Sequence, residues 1–229
     1  MSKQAVIIGL GRFGTNLATA LHNTGYEVMA IDKDPNLVEA IAPNVTHAVR
    51  TDSTNEAALH RLGITDFDVA VVTIGTSIQD SVLITIILKK MGLRYIVARA
   101  DNALHGEILK SIGADKVIFP ERDTAIRSAP ILTMRGVSDY IPLSNGSGIV
   151  KAKATPYFTG KTLEDIGFRF DSKGGVAVLM IQRGKEAIVN PSATEVVSHI
   201  DFLIMAGNNA DIEKVLEKAD KSEESEKKE

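Results

Sequence analysis

Three glycines near the start of the chain, Gly9, Gly11 and Gly14, have the spacing G-x-G-x-x-G within the segment VIIGLGRFGTNLATAL. Such a loop binds phosphate because the first glycine permits a tight turn, the second lets a phosphate approach the backbone, and the third lets the following helix pack on the strand. Amides at the N-terminus of that helix face the anion. The alternative is that the glycines serve close packing alone, but their place between a predicted strand and a predicted helix favours a nucleotide.

An acidic residue, Asp32, ends the second predicted strand about 20 residues after this loop, and Lys33 follows it. A carboxylate at that place accepts hydrogen bonds from ribose hydroxyls and repels a 2′-phosphate. The pattern therefore predicts a nucleotide with free ribose hydroxyls and disfavours NADP.

Two arginines, Arg12 inside the glycine loop and Arg99 at the end of the fifth predicted strand, indicate how much phosphate charge the site meets. NAD brings two phosphate charges, which backbone amides largely satisfy, whereas ATP brings about twice that charge, and guanidinium groups bind its oxygens bidentately. The alternative for Arg12 is a solvated residue of the first helical turn. A cation is unfavourable there unless an anion lies nearby.

Further candidates follow the other predicted strands, because ligands of open parallel sheets bind outside the carboxyl ends of the strands. They are Asp52 and Ser53 after the third strand, Ile74 and Gly75 after the fourth, Glu121 after the sixth, and Phe13 beside Arg12 in the loop itself. Asp52 has an equally weighted alternative as a helix cap. We expect the others at one edge of the sheet.

The elements that must position these residues are short apolar runs alternating with helical patterns. The predicted strands are 5–8, 27–31, 47–50, 69–73, 95–99 and 116–119, and the predicted helices are 11–23, 36–42, 55–62, 78–91 and 103–112. Continuous apolar runs such as VAVVTIG are typical of strands buried on both faces of a parallel sheet. The pattern predicts an α/β fold, a doubly wound Rossmann-like parallel sheet.

The pattern changes from Glu121 onward. ERDTAIRSAPILTMRG predicts one helix that Pro130 kinks or breaks and Gly136 ends, and strand pairs with turns at Asn145-Gly146 and Arg183-Gly184 follow. We predict a Rossmann-like domain with its crossover helix over residues 1–137 and a smaller α+β domain over 138–217 that holds the short helix TLEDIG. The charged tail, 218–229, is predicted to be disordered.

Composition excludes several functions. The net charge of −3 provides no general basic field for nucleic acid, and the absence of cysteine excludes disulfides and thiolate chemistry. The longest apolar-rich stretch, SVLITIILKKMG, is too short to span a bilayer, and the N-terminus lacks the apolar region of a signal peptide. We expect a soluble, cytoplasmic protein.

No catalytic constellation accompanies the nucleotide loop. The five histidines lie in predicted helices, at strand starts or before a strand, and neither a Ser-His-Asp pattern nor an S-x-x-K or H-E-x-x-H motif occurs. We therefore interpret the nucleotide as a regulatory ligand and the chain as no enzyme. The alternative is a small NAD-dependent oxidoreductase, and a third interpretation is a nucleotide sensor for another cation transporter or a fragment of a larger channel.

The order of these motifs resembles the KtrA/TrkA-type RCK (regulator of potassium conductance) family over nearly the whole chain except the tail. The likeness runs through VIIGLGRFGTNLATALHNTGYEVMAIDKDPNLVEAI, THAVRTDSTNEAALHRLGITDFDVAVVTIG, LRYIVARADNALHGEILKSIGADKVIFPERD and TLEDIGFRFDSKGGVAVLMIQRGKEAIVNPSATEVVSHIDFLIMAG. The resemblance implies a regulatory subunit that gates a membrane potassium channel or transporter from the inner face of the plasma membrane. It also implies homodimers that assemble into an octameric ring.

The same resemblance implies ligands and residue roles. ATP and ADP, and in some members NAD or NADH, bind the Rossmann lobe. Arg12 of G-R-F-G reaches the γ-phosphate bound to a neighbouring subunit, Asp32 holds the ribose, and Glu121 contributes to a divalent cation site, for Mg²⁺ or Ca²⁺, near the phosphates. Arg99 stands where the family often has lysine. Some relatives bind cyclic di-AMP at the C-terminal dimer interface, and Arg169 and Asn190-Pro191 lie in the comparable region.

Overall fold

The computed structural model describes residues 3–144, 146–168 and 175–226, with side chains described as far as residue 217. The chain forms two compact units that divide between Pro120 and Glu121. This division lies at the first residue of the helix that starts at Pro120, and not after residue 137, where the sequence pattern had placed the domain boundary. The reason is that Ile131, in the last turn of that helix, and Met134, directly after it, pack against the core of the second unit.

The first unit is a six-stranded parallel sheet with helices between successive strands, so the predicted doubly wound fold is confirmed. Its strands are β1 (Gln4–Ile8), β2 (Glu27–Asp32), β3 (His47–Arg50), β4 (Val69–Val72), β5 (Ile96–Arg99) and β6 (Lys116–Ile118). Its α-helices are α1 (Arg12–Asn23), α2 (Pro35–Ile41), α3 (Glu56–Arg61), α4 (Ile78–Lys90) and α5 (Ala103–Ser111). The strand order is β3-β2-β1-β4-β5-β6.

Strand β1 shows why the apolar runs are continuous. Val6 and Ile8 belong to one apolar core and Ile7 to another, and all three side chains are at most 1% exposed. Successive side chains of a strand point to opposite faces, so a strand covered by helices on both faces needs apolar residues at every position. Burial on both faces places β1 in the interior of the sheet, where the glycine loop begins.

In the part of the second unit that the structure describes, three helices accompany a five-stranded antiparallel sheet, which confirms the predicted smaller α+β domain. It contains α6 (Pro120–Thr133), β7 (Val137–Ser144), β8 (Ser147–Lys153), α7 (Leu163–Ile166), β9 (Ala177–Arg183), β10 (Glu186–Val189), β11 (Asp201–Asn208) and α8 (Asn209–Glu226). The strand order is β10-β9-β11-β8-β7. The short helix α7 has a full capping box between Thr162 and Asp165.

The helix bounds in this unit bear on two sequence-based expectations. Pro130 lies inside α6, which continues to Thr133, and the N–H of Met134 still donates to the carbonyl of Pro130 at 2.8 Å. The last helix extends to Glu226, past the predicted start of a disordered tail at residue 218. Lys, Glu and Ala are strong helix formers, so an established helix propagates into this charged segment. Residues 227–229 and the turn residue Asn145 lie outside the described residues.

No helix within the described ranges has both the length and the apolar character needed to cross a membrane.

Candidate nucleotide site

The glycine loop joins β1 to α1 at the point where the strand order reverses, since β1 pairs with β2 on one side and β4 on the other. Crevices at such switch points, outside the carboxyl ends of the strands, are where open parallel sheets bind ligands. The structure therefore places Gly9, Gly11 and Gly14 where the sequence predicted a phosphate loop.

Each glycine of the loop has a distinct steric role. Gly9 has a left-handed φ of 101°, and a Cβ there would lie 2.8 Å from Ile74 Cγ1. A Cβ on Gly14 would overlap the carbonyl oxygen of Gly9, so only glycine lets α1 pack this closely on the loop. A Cβ on Gly11, in contrast, would meet nothing within 4 Å. Gly9 and Gly14 shape the loop, whereas Gly11 leaves open space beside its backbone for a ligand.

Thr73, which directly follows β4, contacts the glycine loop, and sequence reasoning did not identify it as a site residue. It is buried at the end of β4, and its Oγ1 lies 2.5 Å from the carbonyl oxygen of Gly9 and 3.0 Å from that of Ile8. The hydroxyl donates to this pair of carbonyls and ties the loop to β4. The polar residue that ends the apolar run VAVVT was the available signal.

The start of α1 differs from the other helix starts of the first unit. The residues before α2, α3, α4 and α5 are Asp34, Asn55, Ser77 and Asn102, and the side chain of each accepts a hydrogen bond from a backbone N–H of its helix. Helix α1 begins after Gly11 and has no side-chain cap. Its first amides therefore remain available to an anion, which the partial positive charge of the helix N-terminus favours.

Asp32 lies directly beside the loop. Its Oδ2 accepts the N–H of Leu10 at 2.6 Å and its Oδ1 accepts the N–H of Asp34 at 2.9 Å. An ionised carboxylate has about four lone-pair sites, so two hydrogen bonds leave acceptor capacity for ribose hydroxyls. The carboxylate thus holds the loop in shape and still presents an acceptor at the end of β2.

Arg12 and Phe13 occupy the first turn of α1. The Arg12 side chain is exposed, and Phe13 is half-buried. The position places a cation at a helix N-terminus, where it is unfavourable in the absence of an anion. The geometry is compatible with a phosphate contact, and the predicted role of Arg12 stays a prediction.

Lys33 and Asp52 lie on the neighbouring loops of the same edge. The ammonium of Lys33 lies 3.8 Å from the carboxylate of Asp80 in the first turn of α4, so the ion pair links the loop after β2 to the start of α4. Hydrogen bonds from the hydroxyl and N–H of Thr54 lower the pKa of Asp52, with a smaller contribution from the charge of Lys33. The helix-cap alternative for Asp52 is wrong, because the residue that caps α3 is Asn55. Ser53 is buried.

Arg99 reaches across from β5 to the loop after β4. Its guanidinium occupies the space in which a Cβ of Gly75 would lie, and its side chain is only 15% exposed. An ion pair of 3.6 Å joins the guanidinium to Asp101. The predicted site residues Ile74, Gly75 and Arg99 therefore lie together at the carboxyl edge of β4 and β5.

Glu121 is exposed in the first turn of α6 and belongs to the second unit. Within the described residues, no group of three or more His, Asp or Glu side chains is arranged to hold a metal ion.

The residues named for cyclic di-AMP are only partly described, since Arg169 lies outside the described residues. Asn190 follows β10 with a left-handed φ of 50°, and Pro191 is buried.

Comparison with known proteins assigns both units. Residues 5–120 match the TrkA-N domain model, and residues 149–220 match the TrkA-C domain model. The chain belongs to the TrkA family. The resemblance seen in the motif order, to KtrA/TrkA-type RCK proteins, is thereby confirmed.

Individual TrkA-type relatives match along almost their entire length. The chain is 43% identical over 212 residues to Ktr system potassium uptake protein C of Bacillus subtilis, which covers 93% of this chain and 95% of the relative. It is 36% identical over 213 residues to Ktr system potassium uptake protein A of the same organism, with 93% and 95% covered.

Solved structures share the RCK fold. The GsuK RCK domain has a TM-score of 0.65 at 19% identity, and the GsuK channel bound to NAD has a TM-score of 0.63 at 19% identity. The alignments cover 94% and 96% of this TrkA-type chain, which spans 48% and 39% of those longer chains. At this identity, the likeness establishes the fold alone.

Asp32→Ala is expected to weaken adenine nucleotide binding by about tenfold or more, because the ribose hydroxyls lose an acceptor and the Leu10 N–H loses its partner. Calorimetry with ATP and ADP measures the loss. Wild-type protein should bind NADP far more weakly than ATP, since the carboxylate repels a 2′-phosphate.

Asp34→Ala is the matched control for this change. It also removes a carboxylate, but the hydrogen bond of that carboxylate is with the N–H of Asn36 at the start of α2 and not with the glycine loop. We expect its loss to cost stability, about 1 kcal/mol, and to leave nucleotide affinity unchanged. Equal binding of NADP and ATP to the wild type would contradict the role of Asp32.

Proposed function

We propose that this chain is a regulatory, non-enzymatic subunit that binds adenine nucleotides and gates a membrane potassium channel or transporter. The proposal depends on one observation, the 43% identity to a potassium uptake protein that extends over 93% of this chain and 95% of the relative. Because the match extends over nearly all of both proteins, it is not limited to a single domain that unrelated proteins could share.

The open phosphate loop supports the nucleotide part of the proposal. Uncapped amides at the start of α1, the Asp32 carboxylate and two arginines at the same edge supply a phosphate site, a ribose acceptor and additional positive charge. These features favour ATP and ADP as the ligands. NAD or NADH remains a candidate, because a protein of the same fold, the GsuK channel, has been solved bound to NAD.

The mechanism we propose is a shift between two shapes of an assembly. Homodimers form an octameric ring against the inner face of the membrane, where a separate potassium channel subunit binds it. Nucleotide changes the gate only if its affinity differs between the two ring shapes, since a ligand shifts an equilibrium by its differential affinity. Light scattering of the purified protein should then show an oligomer well above a monomer, with and without ATP.

The decisive experiment combines binding with transport. Calorimetry across ATP, ADP, NAD, NADH and cyclic di-AMP identifies the ligand, and co-purification from membranes identifies the partner. Deleting the chain should lower potassium uptake at limiting external potassium, and restoring it should recover uptake. The proposal fails if the chain stays monomeric, no membrane protein co-purifies, and uptake is unchanged by the deletion. Nicotinamide-dependent turnover of a small substrate would instead support the oxidoreductase alternative.

Glu121 provides a separate test of the proposed cation site. A carboxylate beside a polyphosphate is repulsive unless a cation lies between them. ATP binding should therefore strengthen when Mg²⁺ or Ca²⁺ is added. Glu121→Gln should abolish that gain and, by removing the repulsion, should raise the metal-free affinity. Glu164→Gln, a change at an exposed first-turn glutamate of α7, is the matched control. A divalent-ion effect that survives in Glu121→Gln would place the cation on other residues.

A further inference from the structure

The loop between β5 and α5, residues 100–102, is in contact with a buried histidine of α5, His105, that the proposed site does not use. His105 is 1% exposed, and its Nδ1 accepts the backbone N–H of Asp101 at 3.3 Å. The backbone N–H of His105 donates in turn to Oδ1 of Asn102 at 2.9 Å. The imidazole ring therefore holds the backbone of the loop that follows Arg99, through the hydrogen bond that it accepts from Asp101.

The chemistry of the ring indicates that packing is not its purpose. Nδ1 accepts the Asp101 N–H and therefore carries no proton, so the ring is neutral. Burial also lowers the pKa of His105, against the charge of Asp101 and together with that of Arg99. With Nδ1 as acceptor, Nε2 carries the proton, and Nε2 has no hydrogen-bond partner among the described residues. Leaving a buried donor unsatisfied is costly, so an apolar side chain would fill this space better. What an apolar side chain lacks is an acceptor for the Asp101 N–H.

The helix that carries His105 is itself closely held. A Cβ on Gly106 would lie 2.5 Å from Cζ of Phe119, so α5 lies tightly against the residue that follows β6. Asn102 caps the N-terminus of α5. The hydrogen bond that the Asp101 N–H donates to His105 of this helix therefore restrains the loop relative to a rigid element of the fold.

This restraint acts on Arg99. The Asp101 carboxylate lies 3.6 Å from the Arg99 guanidinium, which lies across the backbone of Gly75 at the carboxyl edge of the sheet. These contacts connect the buried imidazole of His105, through the backbone and carboxylate of Asp101, to the guanidinium of Arg99 beside the proposed nucleotide crevice. A fixed guanidinium loses less entropy on binding phosphate than a mobile one.

We propose that His105 is a positioning residue for the nucleotide site, which holds Asp101, and through it the Arg99 guanidinium, in the orientation that receives the phosphates. This inference depends on the proposed nucleotide-binding function. It assigns His105 no contact with the nucleotide itself.

The test compares His105→Leu with His105→Asn. Leucine fills the space without an acceptor, whereas the Oδ1 of asparagine occupies the same place in the side chain as Nδ1 and retains one. Calorimetry should show ADP affinity lowered roughly five- to tenfold in His105→Leu, the cost of one lost hydrogen bond, and restored to within about twofold in His105→Asn. Adenosine, which has no phosphates, should bind both variants as it binds the wild type.

A double-mutant comparison separates positioning from general destabilisation. In an Arg99→Met background, His105→Leu should cause no further loss of ADP affinity, because the group that it positions is absent. Additive losses, or an equal loss for adenosine and ADP, would overturn the proposal. If the wild type binds no adenine nucleotide, the proposed function fails; if the wild type binds ADP and His105→Leu binds it equally well, only the positioning role fails.

A measurement on the unmodified protein covers the case in which His105→Leu does not fold. Long-range ¹H–¹⁵N NMR distinguishes the two neutral tautomers of histidine. We expect His105 to be the Nε2–H tautomer at pH 7.5. An Nδ1–H tautomer or an imidazolium at that pH would overturn the proposal, because neither accepts a hydrogen bond at Nδ1.

Discussion

Arg12→Ala is expected to lower the affinity for ATP by about 10- to 100-fold and to change ADP affinity little. Arg12 is exposed in the first turn of α1, directly after the glycine loop that we propose binds the inner phosphates. Only ATP carries the terminal phosphate, and only a side chain that extends past the loop meets it. A charge-assisted bidentate contact contributes about 1.5–3 kcal/mol, which sets the expected loss.

The matched control is Arg94→Ala. Arg94 is also exposed, but it precedes β5 and therefore lies at the amino edge of the sheet, opposite the nucleotide crevice. Arg94→Ala changes the net charge by the same amount as Arg12→Ala and should leave the affinities for ATP and ADP unchanged. Equal losses of ATP and ADP affinity in Arg12→Ala would contradict a γ-phosphate contact. A loss of NAD affinity as large as that of ATP would instead indicate a dehydrogenase cofactor loop.

Asp201→Asn is expected to lower the free energy of unfolding of the second unit by about 3 kcal/mol. The Asp201 side chain is fully buried at the start of β11 and accepts two hydrogen bonds from Arg183 of β9, each 2.9 Å long, and the N–H of Ser198 at 2.8 Å. Removing the Asp201 charge breaks the buried pair and leaves Glu195, 3.4 Å away, as the acidic partner of Arg183. Because the Arg183 side chain is 29% exposed, the loss falls at the lower end of the range for buried pairs.

The effect should depend on pH with a definite sign. Burial alone would raise the pKa of Asp201, but the hydrogen bonds from Arg183 and from the Ser198 N–H outweigh it and lower the pKa below its usual value of 3.8. A carboxyl group whose pKa is lowered by folding stabilises the folded state fully above its unfolded pKa, and this stabilisation is lost as the pH falls through the folded pKa. The stability difference between wild type and Asp201→Asn should therefore be constant near neutral pH and shrink only below about pH 4.

Asp139→Asn, in the same unit, is the control for this change. Asp139 pairs with Arg127 at 3.1 Å, but its side chain is 48% exposed. Exposed ion pairs contribute about 0–1 kcal/mol, so urea unfolding should detect little change. If Asp201→Asn lowers the free energy of unfolding no more than Asp139→Asn does, the buried pair contributes no more stability than an exposed pair.

The sequence by itself determined the features that depend on near neighbours in the chain. Alternation of apolar runs with helical patterns predicted six strands close to their observed bounds, because burial on both faces demands apolar residues at successive positions. The spacing of Gly9, Gly11 and Gly14 predicted the phosphate loop, since the steric needs of a tight turn and a close helix are local. Asp32 was identified by the same logic, as the residue that ends the next strand.

Only the tertiary structure decided which distant groups meet. Thr73 ties down a loop 64 residues earlier in the chain, Arg99 lies across Gly75, and His105 supports the backbone beside Arg99. It also decided that Asn55, and not Asp52, caps α3. Hydrogen bonds and ion pairs depend on distance and direction at the scale of tenths of an ångström, and those are set by how strands and helices pack, which periodicity and spacing do not specify.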